Sequence, residues 1–220
     1  MVPLTIVGDT IQWMLNNQET LITQTIEHLN ISLTAIFVAL VLWVPVGLLI
    51  HGHDRVASSV VGIAGMILTL PSLVLLPLLI PIVGIGVAPA VVALVLYSAL
   101  PMIRNTYTGL ESVDPAMVRS GRGLGMTDRQ LLTKVKIPMA LPVIFAGIRQ
   151  AIVLVIGITT IAAYFGAGGL GTSIFAGIRL TAPAQIVGAT IVVSVIAIVL
   201  DYGFYFIQRL LPGGKRGMNA

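Results

Sequence analysis

From Val56 to Ile103 the chain runs for 48 residues without an Asp, Glu, Lys or Arg. A segment like that has no charged surface to offer water. The whole chain does little better: 9% of its residues are charged and 57% are hydrophobic, whereas a soluble domain carries about 25% charged residues. Lipid must therefore cover much of this protein. A helix crossing the hydrocarbon core needs about 20 apolar residues, so the run is too long for one crossing. Gly84, Gly86 and Pro89 divide it into helices near 57–83 and 87–103. Leu29 to Ile50 gives another uncharged span, of 22 residues. Gln150 to Ile178 is uncharged but carries a glycine cluster at 166–171, which ends a helix near Tyr164, for a span near 143–164. A last span lies near 180–200. The chain is expected to be an all-α polytopic membrane protein with five transmembrane helices. One transmembrane domain covers 29–210 and a tail covers 211–220.

Residues 1–28 differ in character. Asp9, Glu19 and Glu27 interrupt them, and they lack the positive start and small-residue cleavage site of a secretory signal. Trp13, Leu15, Leu21, Ile22 and Ile26 are spaced like one apolar face, which predicts a helix lying on the membrane surface over 9–28.

Orientation follows from the basic residues in the short connections. With the N-terminus outside, eleven of the twelve Lys and Arg residues fall on the inner side: Arg55, the group from Arg104 to Arg149, and Arg209, Lys215 and Arg216. Only Arg179 is left outside. This predicts an external N-terminus and a cytoplasmic C-terminus. The same scatter between apolar spans argues against nucleic-acid binding, which needs a basic face. Pro71, Pro77 and Pro81 crowd the second span, and each removes an intrahelical hydrogen bond. A kinked helix lining a pathway and a kinked helix buried in the bundle both fit.

The stretch from Arg104 to Arg149 holds ten of the twenty charged residues. Its loop, 105–137, reads as two short helices. Asp114-Pro115 is a helix start, with Asp as cap and Pro in the first turn. Gly121, Gly123 and Gly125 supply a turn. Thr127 caps a second helix, and Gln130 three residues on completes a capping box. Ile137-Pro138 is expected to close it. Such a projecting knob suits either a groove on another protein or a connector held on the headgroups by its Arg and Lys residues.

The run Val113 to Thr127, continuing to Val135-Lys136-Ile137-Pro138, resembles the coupling loop of bacterial ATP-binding-cassette (ABC) importer permeases. Gly125 falls on the family glycine, and Val135, Ile137 and Pro138 fall on the end of the family pattern. Arg119, Ser120 and Gly121 stand where the family has Glu-Ala-Ala, so the family's acidic contact at the first of these positions is missing. Leu70-Pro71-Ser72-Leu73, Gly84-Ile85-Gly86, Leu100 to Gly109 and Gly166 to Gly171 are similar to the osmoprotectant branch, which carries glycine betaine, carnitine or choline.

The resemblance implies a type I importer permease in the bacterial inner membrane, working by alternating access. It implies three partners: a separate ABC ATPase that holds ATP-Mg, an extracytoplasmic substrate-binding protein, and a second permease subunit, identical or not. It also places Asp114, Met117, Arg119, Ser120, Gly121, Leu124, Gly125, Met126, Thr127 and Leu131 in the contact with the ATPase. Met117, Leu124, Met126 and Leu131 would be its apolar groove contacts. Pro71, Ser72, Tyr97, Asn105 and Tyr164 are the candidates for the translocation pathway.

Other motifs carry less. Gly166 to Gly171 fits G-x-G-x-x-G, but that pattern binds dinucleotides only between a strand and a helix. No P-loop occurs, so this chain needs a partner for ATP and is expected to hold no cofactor itself. His28, His51 and His53 do not make the three or four converging ligands of a metal site. Cysteine is absent. Arg149 falls at membrane depth and is expected to snorkel to the inner interface, with a functional role as the alternative. Asp201 is open to the same two readings. A permease for methionine or another small solute, a secondary transporter acting alone and a membrane-embedded enzyme are the rival functions.

Overall fold

The computed structural model describes residues 4–210. Among them every regular element is helical: α1 Leu4–Asn16, α2 Gln18–Leu49, α3 Asp54–Thr69, α4 Ser72–Val83, α5 Val87–Glu111, α6 Pro115–Gly123, α7 Asp128–Leu131, a π-helical segment Leu132–Lys136, α8 Ile137–Ala162, a 3-10 turn Ala163–Phe165, α9 Gly171–Arg179 and α10 Pro183–Leu210. The tail predicted over 211–220, with Lys215 and Arg216, lies outside the described residues. Among the described residues, four stretches are long and apolar enough to cross a membrane: Gln18–Leu49, Val87–Glu111, Asp128–Phe165 and Pro183–Leu210. A fifth crossing is made if the bent pair α3 and α4 counts as one span.

The bend between α3 and α4 measures 100°, where the sequence suggested one kinked helix over 57–83. Pro71 has no N–H to give and forces Leu70 into an extended conformation at φ −67°, ψ 131°. The freed Leu70 carbonyl accepts a hydrogen bond from the Tyr97 hydroxyl at 2.8 Å. Pro77 and Pro81 sit inside α4 without ending it. Gly84 and Gly86, at φ 86° and 108°, turn the chain from α4 into α5. Few residues other than glycine adopt those angles.

Two other boundaries differ from the sequence reading. The helix expected on the surface over 9–28 is split at Asn17, and its second half is the start of α2. No Gly or Pro lies between Gln18 and Leu29 to stop the helix. Asn17 ends α1 by donating its side-chain amide to the Trp13 carbonyl at 2.8 Å. At 32 residues, α2 is about 48 Å long, well beyond the ~30 Å hydrocarbon core. The second difference is at Ile137-Pro138, which does not close a helix. The wide π turn over 132–136 makes room for the proline ring, and the helix continues into α8.

α5 is the centre of the bundle: 61% of its span is buried, against 17% for α10. It touches α2, α3, α4 and α8. Glycines on its neighbours allow these close approaches. A Cβ at Gly47 of α2 would lie 2.5 Å from the Thr106 Cβ. One at Gly147 of α8 would lie 2.6 Å from the Pro101 carbonyl oxygen and 2.5 Å from the Asn105 Cβ. Lipid offers no hydrophobic drive between helices, so backbone-close packing of small residues takes over that role. α1 lies on α10, with Trp13 and Met14 packed over Gly188.

Gly147→Leu should therefore push α8 off α5, because the atom it meets is backbone and cannot move aside. The cost is expected at roughly 3 kcal/mol or more, read as a large drop in the melting temperature of the detergent-purified protein. Gly157→Ala, with nothing within 4 Å, should leave that temperature unchanged or raise it.

Candidate functional site: a capped hairpin and an ion pair between two spans

The hairpin of α6 and α7 is fixed by its own caps. Asp114 Oδ1 accepts from the Ala116 N–H at 2.7 Å and opens α6. At the other end the Met126 N–H reaches the Gly121 carbonyl at 3.1 Å and the Gly125 N–H reaches that of Arg122 at 2.9 Å. This is a Schellman ending, and Gly125 is its left-handed residue at φ 78°. Thr127 Oγ1 accepts from the Gln130 N–H, and Gln130 Oε1 accepts from the Thr127 N–H at 2.9 Å. The three glycines divide the work. Gly125 makes the turn, and Gly123 has open space beside it. Gly121 is buried inside α6, where a Cβ would lie 2.6 Å from Leu131 Cδ2.

This geometry sorts the predicted coupling residues. Asp114, Met117, Arg119, Ser120, Leu124, Gly125 and Thr127 are exposed, and Leu124 is 79% so. Met126 is half-buried, with its sulfur over Gly121. Leu131, grouped in the sequence reading with the partner contacts, is only 3% exposed and fills the inside of the hairpin. Its helical position alone did not say which side α6 would cover.

A polar cluster that the sequence did not reveal braces the base of the hairpin. Lys136 Nζ lies 2.7 Å from His51 Nε2, Glu111 Oε1 accepts from the Gly52 N–H at 3.0 Å, and the Tyr107 hydroxyl donates to Asp54 Oδ1 at 3.2 Å. The α2–α3 connection, the end of α5 and the π segment thus meet. A spacing of 85 residues separates His51 from Lys136, which no local pattern reports.

At the opposite end of the bundle, Gly166, Gly168 and Gly169 are all left-handed. Glu27 Oε2 accepts from the Gly169 N–H at 2.8 Å. The buried His28 places Nε2 3.2 Å from the Ile156 carbonyl. The glycine run is a turn between helices with no strand before it.

Of the five predicted pathway residues, Tyr97 is brought to the bend that carries Pro71 and Ser72. Tyr97 is buried beneath the Leu70–Pro71 bend and cannot line an open passage in this conformation. Asn105 donates to the Pro101 carbonyl of its own helix at 2.8 Å. Pro71 is exposed, Ser72 is half-buried, and Tyr164 is exposed in an aromatic group with Phe165 and Phe175.

Within the membrane-spanning part, Arg149 of α8 and Asp201 of α10 form a two-pronged ion pair. Arg149 Nε donates to Oδ1 at 2.8 Å and a terminal nitrogen to Oδ2 at 2.7 Å. The guanidinium lies 5.0 Å from the centre of the Tyr205 ring. Arg149 therefore does not reach for the interface alone, as the sequence suggested. Its partner is 52 positions away on the last helix.

Residues 43–216 match the family model described as the binding-protein-dependent transport system inner membrane component. The chain belongs to that family. Members are inner-membrane permeases of ABC importers, and the chain carries no ATPase motif of its own. It is 45% identical over 214 residues to the osmoprotectant import permease protein OsmW of Salmonella typhimurium, covering 94% of this chain and all of the relative. It is 42% identical over 210 residues to the choline transport system permease protein OpuBB of Bacillus subtilis, covering 95% and 97%. It is also 42% identical over 201 residues to the carnitine transport permease protein OpuCB of Listeria monocytogenes, covering 91% and 92%. The fold resembles the MetNI methionine ABC transporter in an inward-facing conformation, with TM-score 0.75 at 22% identity over 85% of this chain and 94% of that one. It also resembles an amino acid ABC transporter solved with histidines, with TM-score 0.68 at 20% identity over 89% and 94%.

The burial of His51 beside Lys136 is expected to lower the stability of the fold in acid. Burial, the Lys136 ammonium and His53 lower the His51 pKa below its ordinary value, while Glu111 opposes them. With the folded pKa depressed, no stability is lost above the ordinary histidine range near 6.5. As pH falls below that range the unfolded chain takes up a proton that the folded one refuses, and stability drops. Thermal midpoints of purified protein between pH 7.5 and 5.5 should fall more steeply for the wild type than for His51→Gln.

Proposed function

We propose that this chain is the membrane subunit of an ATP-driven importer for a small osmoprotectant such as choline, glycine betaine or carnitine. The observation that carries the mechanism is the capped hairpin, which holds exposed Met117 and Leu124 on a rigid projection at one end of the bundle. Two helix starts are locked by side chains and one ending by a left-handed glycine, so the hairpin moves as a unit. Apolar side chains exposed on such a projection suit a groove on a separate ATPase. Names of relatives above 40% identity support the solute class.

In this reading the N-terminus is outside and the hairpin is cytoplasmic, in line with the basic residues around it. ATP-Mg binds in the ATPase. Closure of the ATPase dimer pulls the hairpin, the braced base passes the movement to α2, α3 and α5, and two permease subunits rock between outward and inward openings. An extracytoplasmic binding protein delivers the solute. α8 presents an exposed stripe of Ala146, Gln150, Val153 and Gly157, spaced along one helical face, and this face is the candidate for the pathway between subunits. Methionine transport remains the nearest alternative within the family, but the methionine transporter shares only the fold at 22% identity.

Two experiments test the reading. The chain has no cysteine, so single cysteines report contacts without background. Cysteines at Met117 and Leu124 should crosslink to a nucleotide-hydrolysing subunit in native membranes, and one at Leu131 should not. Absence of any crosslink from the two exposed positions would remove the coupling assignment. In proteoliposomes holding the co-purified complex, uptake of the three solutes should require ATP and the binding protein. Gly125→Asp should lower uptake more than ATP hydrolysis, since a side chain at φ 78° strains the turn by about 1 kcal/mol. Uptake by the isolated chain without an ATPase would point to a secondary transporter.

A further inference from the structure

We infer that Arg149 and Asp201, with the Tyr205 ring and the cavity beside them, form a transit site inside the bundle for zwitterionic quaternary-ammonium solutes. This deepens the osmoprotectant reading and rests on it. Three observations carry it.

The pair joins two membrane-spanning helices, Arg149 on α8 and Asp201 on α10. An ionised side chain on such a helix is costly unless it is partnered. Yet the pair is not sealed off: its side chains keep 27% and 25% of their surface. A cavity of about 530 Å³ opens beside it, lined by Ala146, Arg149, Gln150, Val153, Leu154 and Asp201. Three of these six residues, Ala146, Val153 and Leu154, form apolar walls, and the other three, Arg149, Gln150 and Asp201, bring the polar groups that would orient a ligand. The cavity opens on the same face of α8 as the stripe assigned to the pathway.

The charges fit the ligand class. Arg149 and Asp201 sum to zero, and so does a betaine. The guanidinium fork accepts one carboxylate as well as another. A solute carboxylate can therefore take the place of Asp201 on Arg149 while the solute's quaternary ammonium lies against the released Asp201 carboxylate. The Tyr205 ring lies 5.0 Å from both the Arg149 and the Arg209 guanidinium groups, so this ring already hosts cations, and the solute ammonium would share it with them. At no stage does the bundle hold an unpaired charge. A simple cation with no carboxylate, such as choline, would draw Asp201 away and leave Arg149 uncompensated in a low dielectric, which is strongly unfavourable. The site should thus favour glycine betaine and carnitine over choline.

The test uses the permease–ATPase complex without binding protein. Binding of radiolabelled glycine betaine is measured by scintillation proximity. We expect saturable binding to the wild type, competed by carnitine and at least about tenfold less well by choline. Arg149→Gln with Asp201→Asn keeps polar groups but removes both charges; Arg149→Met with Asp201→Leu replaces the pair by apolar groups. Both double variants should lose binding by at least about tenfold while still eluting with the ATPase as an assembled complex. Absence of saturable binding to the wild type, equal binding to an assembled double variant, or equal competition by choline would each overturn the site. A parallel uptake assay with the complete wild-type transporter separates the two claims. If it carries a betaine and the binding results fail, only this site is lost; if it carries none of the three solutes, the osmoprotectant reading fails and the site's ligand with it.

Discussion

The architecture depends on how closely α8 can lie against α5. At their crossing, Gly147 rests on the Pro101 carbonyl and the Asn105 side chain, and nothing larger than hydrogen fits there. Because the surrounding medium is as apolar as the side chains, the helices gain little from hiding leucines from it. What they gain comes from contact density and from satisfied backbone groups. The same logic recurs where Gly47 meets Thr106 and where Gly171 packs on the Thr160 carbonyl. α5 can be the centre of the bundle because its neighbours have surrendered side chains to reach it.

Around that centre, several irregularities and charges in the helices are answered by polar groups. Pro71 breaks α3 from α4, and Tyr97 supplies the missing donor to Leu70. The glycine turn after α8 is met by the Glu27 carboxylate. Arg149 is met by Asp201. The hairpin end is held by His51, Glu111 and Asp54, each from a different part of the chain from its partner. These contacts tie the base of the hairpin to α2, α3 and α5 at once.

Features written in a few neighbouring residues were legible from the sequence. The caps at Asp114 and Thr127, the turn at Gly125 and the breaks at Gly84 and Gly86 depend on local backbone chemistry, and the structure has them where the residues put them. The all-helical membrane class followed from the charge-free runs. What could not be read was pairing across distance. Nothing near Arg149 announces Asp201, and nothing near His51 announces Lys136. The burial of Leu131 and Tyr97 was likewise hidden, since an apolar or aromatic residue on a short helix can face a partner or its own fold equally well. The run through Pro138 was misread because proline is a reliable stop only for a regular α-helix, and here the preceding turn is widened.

That widened turn has a geometric consequence. A π segment is an α-helix with one residue too many, and each residue of an α-helix turns the chain by about 100° about its axis. The orientation of the whole hairpin around the α8 axis is thus set by a single surplus residue between Leu132 and Lys136. Passing that surplus one step along the helix swivels whatever lies beyond it without unwinding what lies behind. The register of one short segment thus fixes the direction in which the knob points.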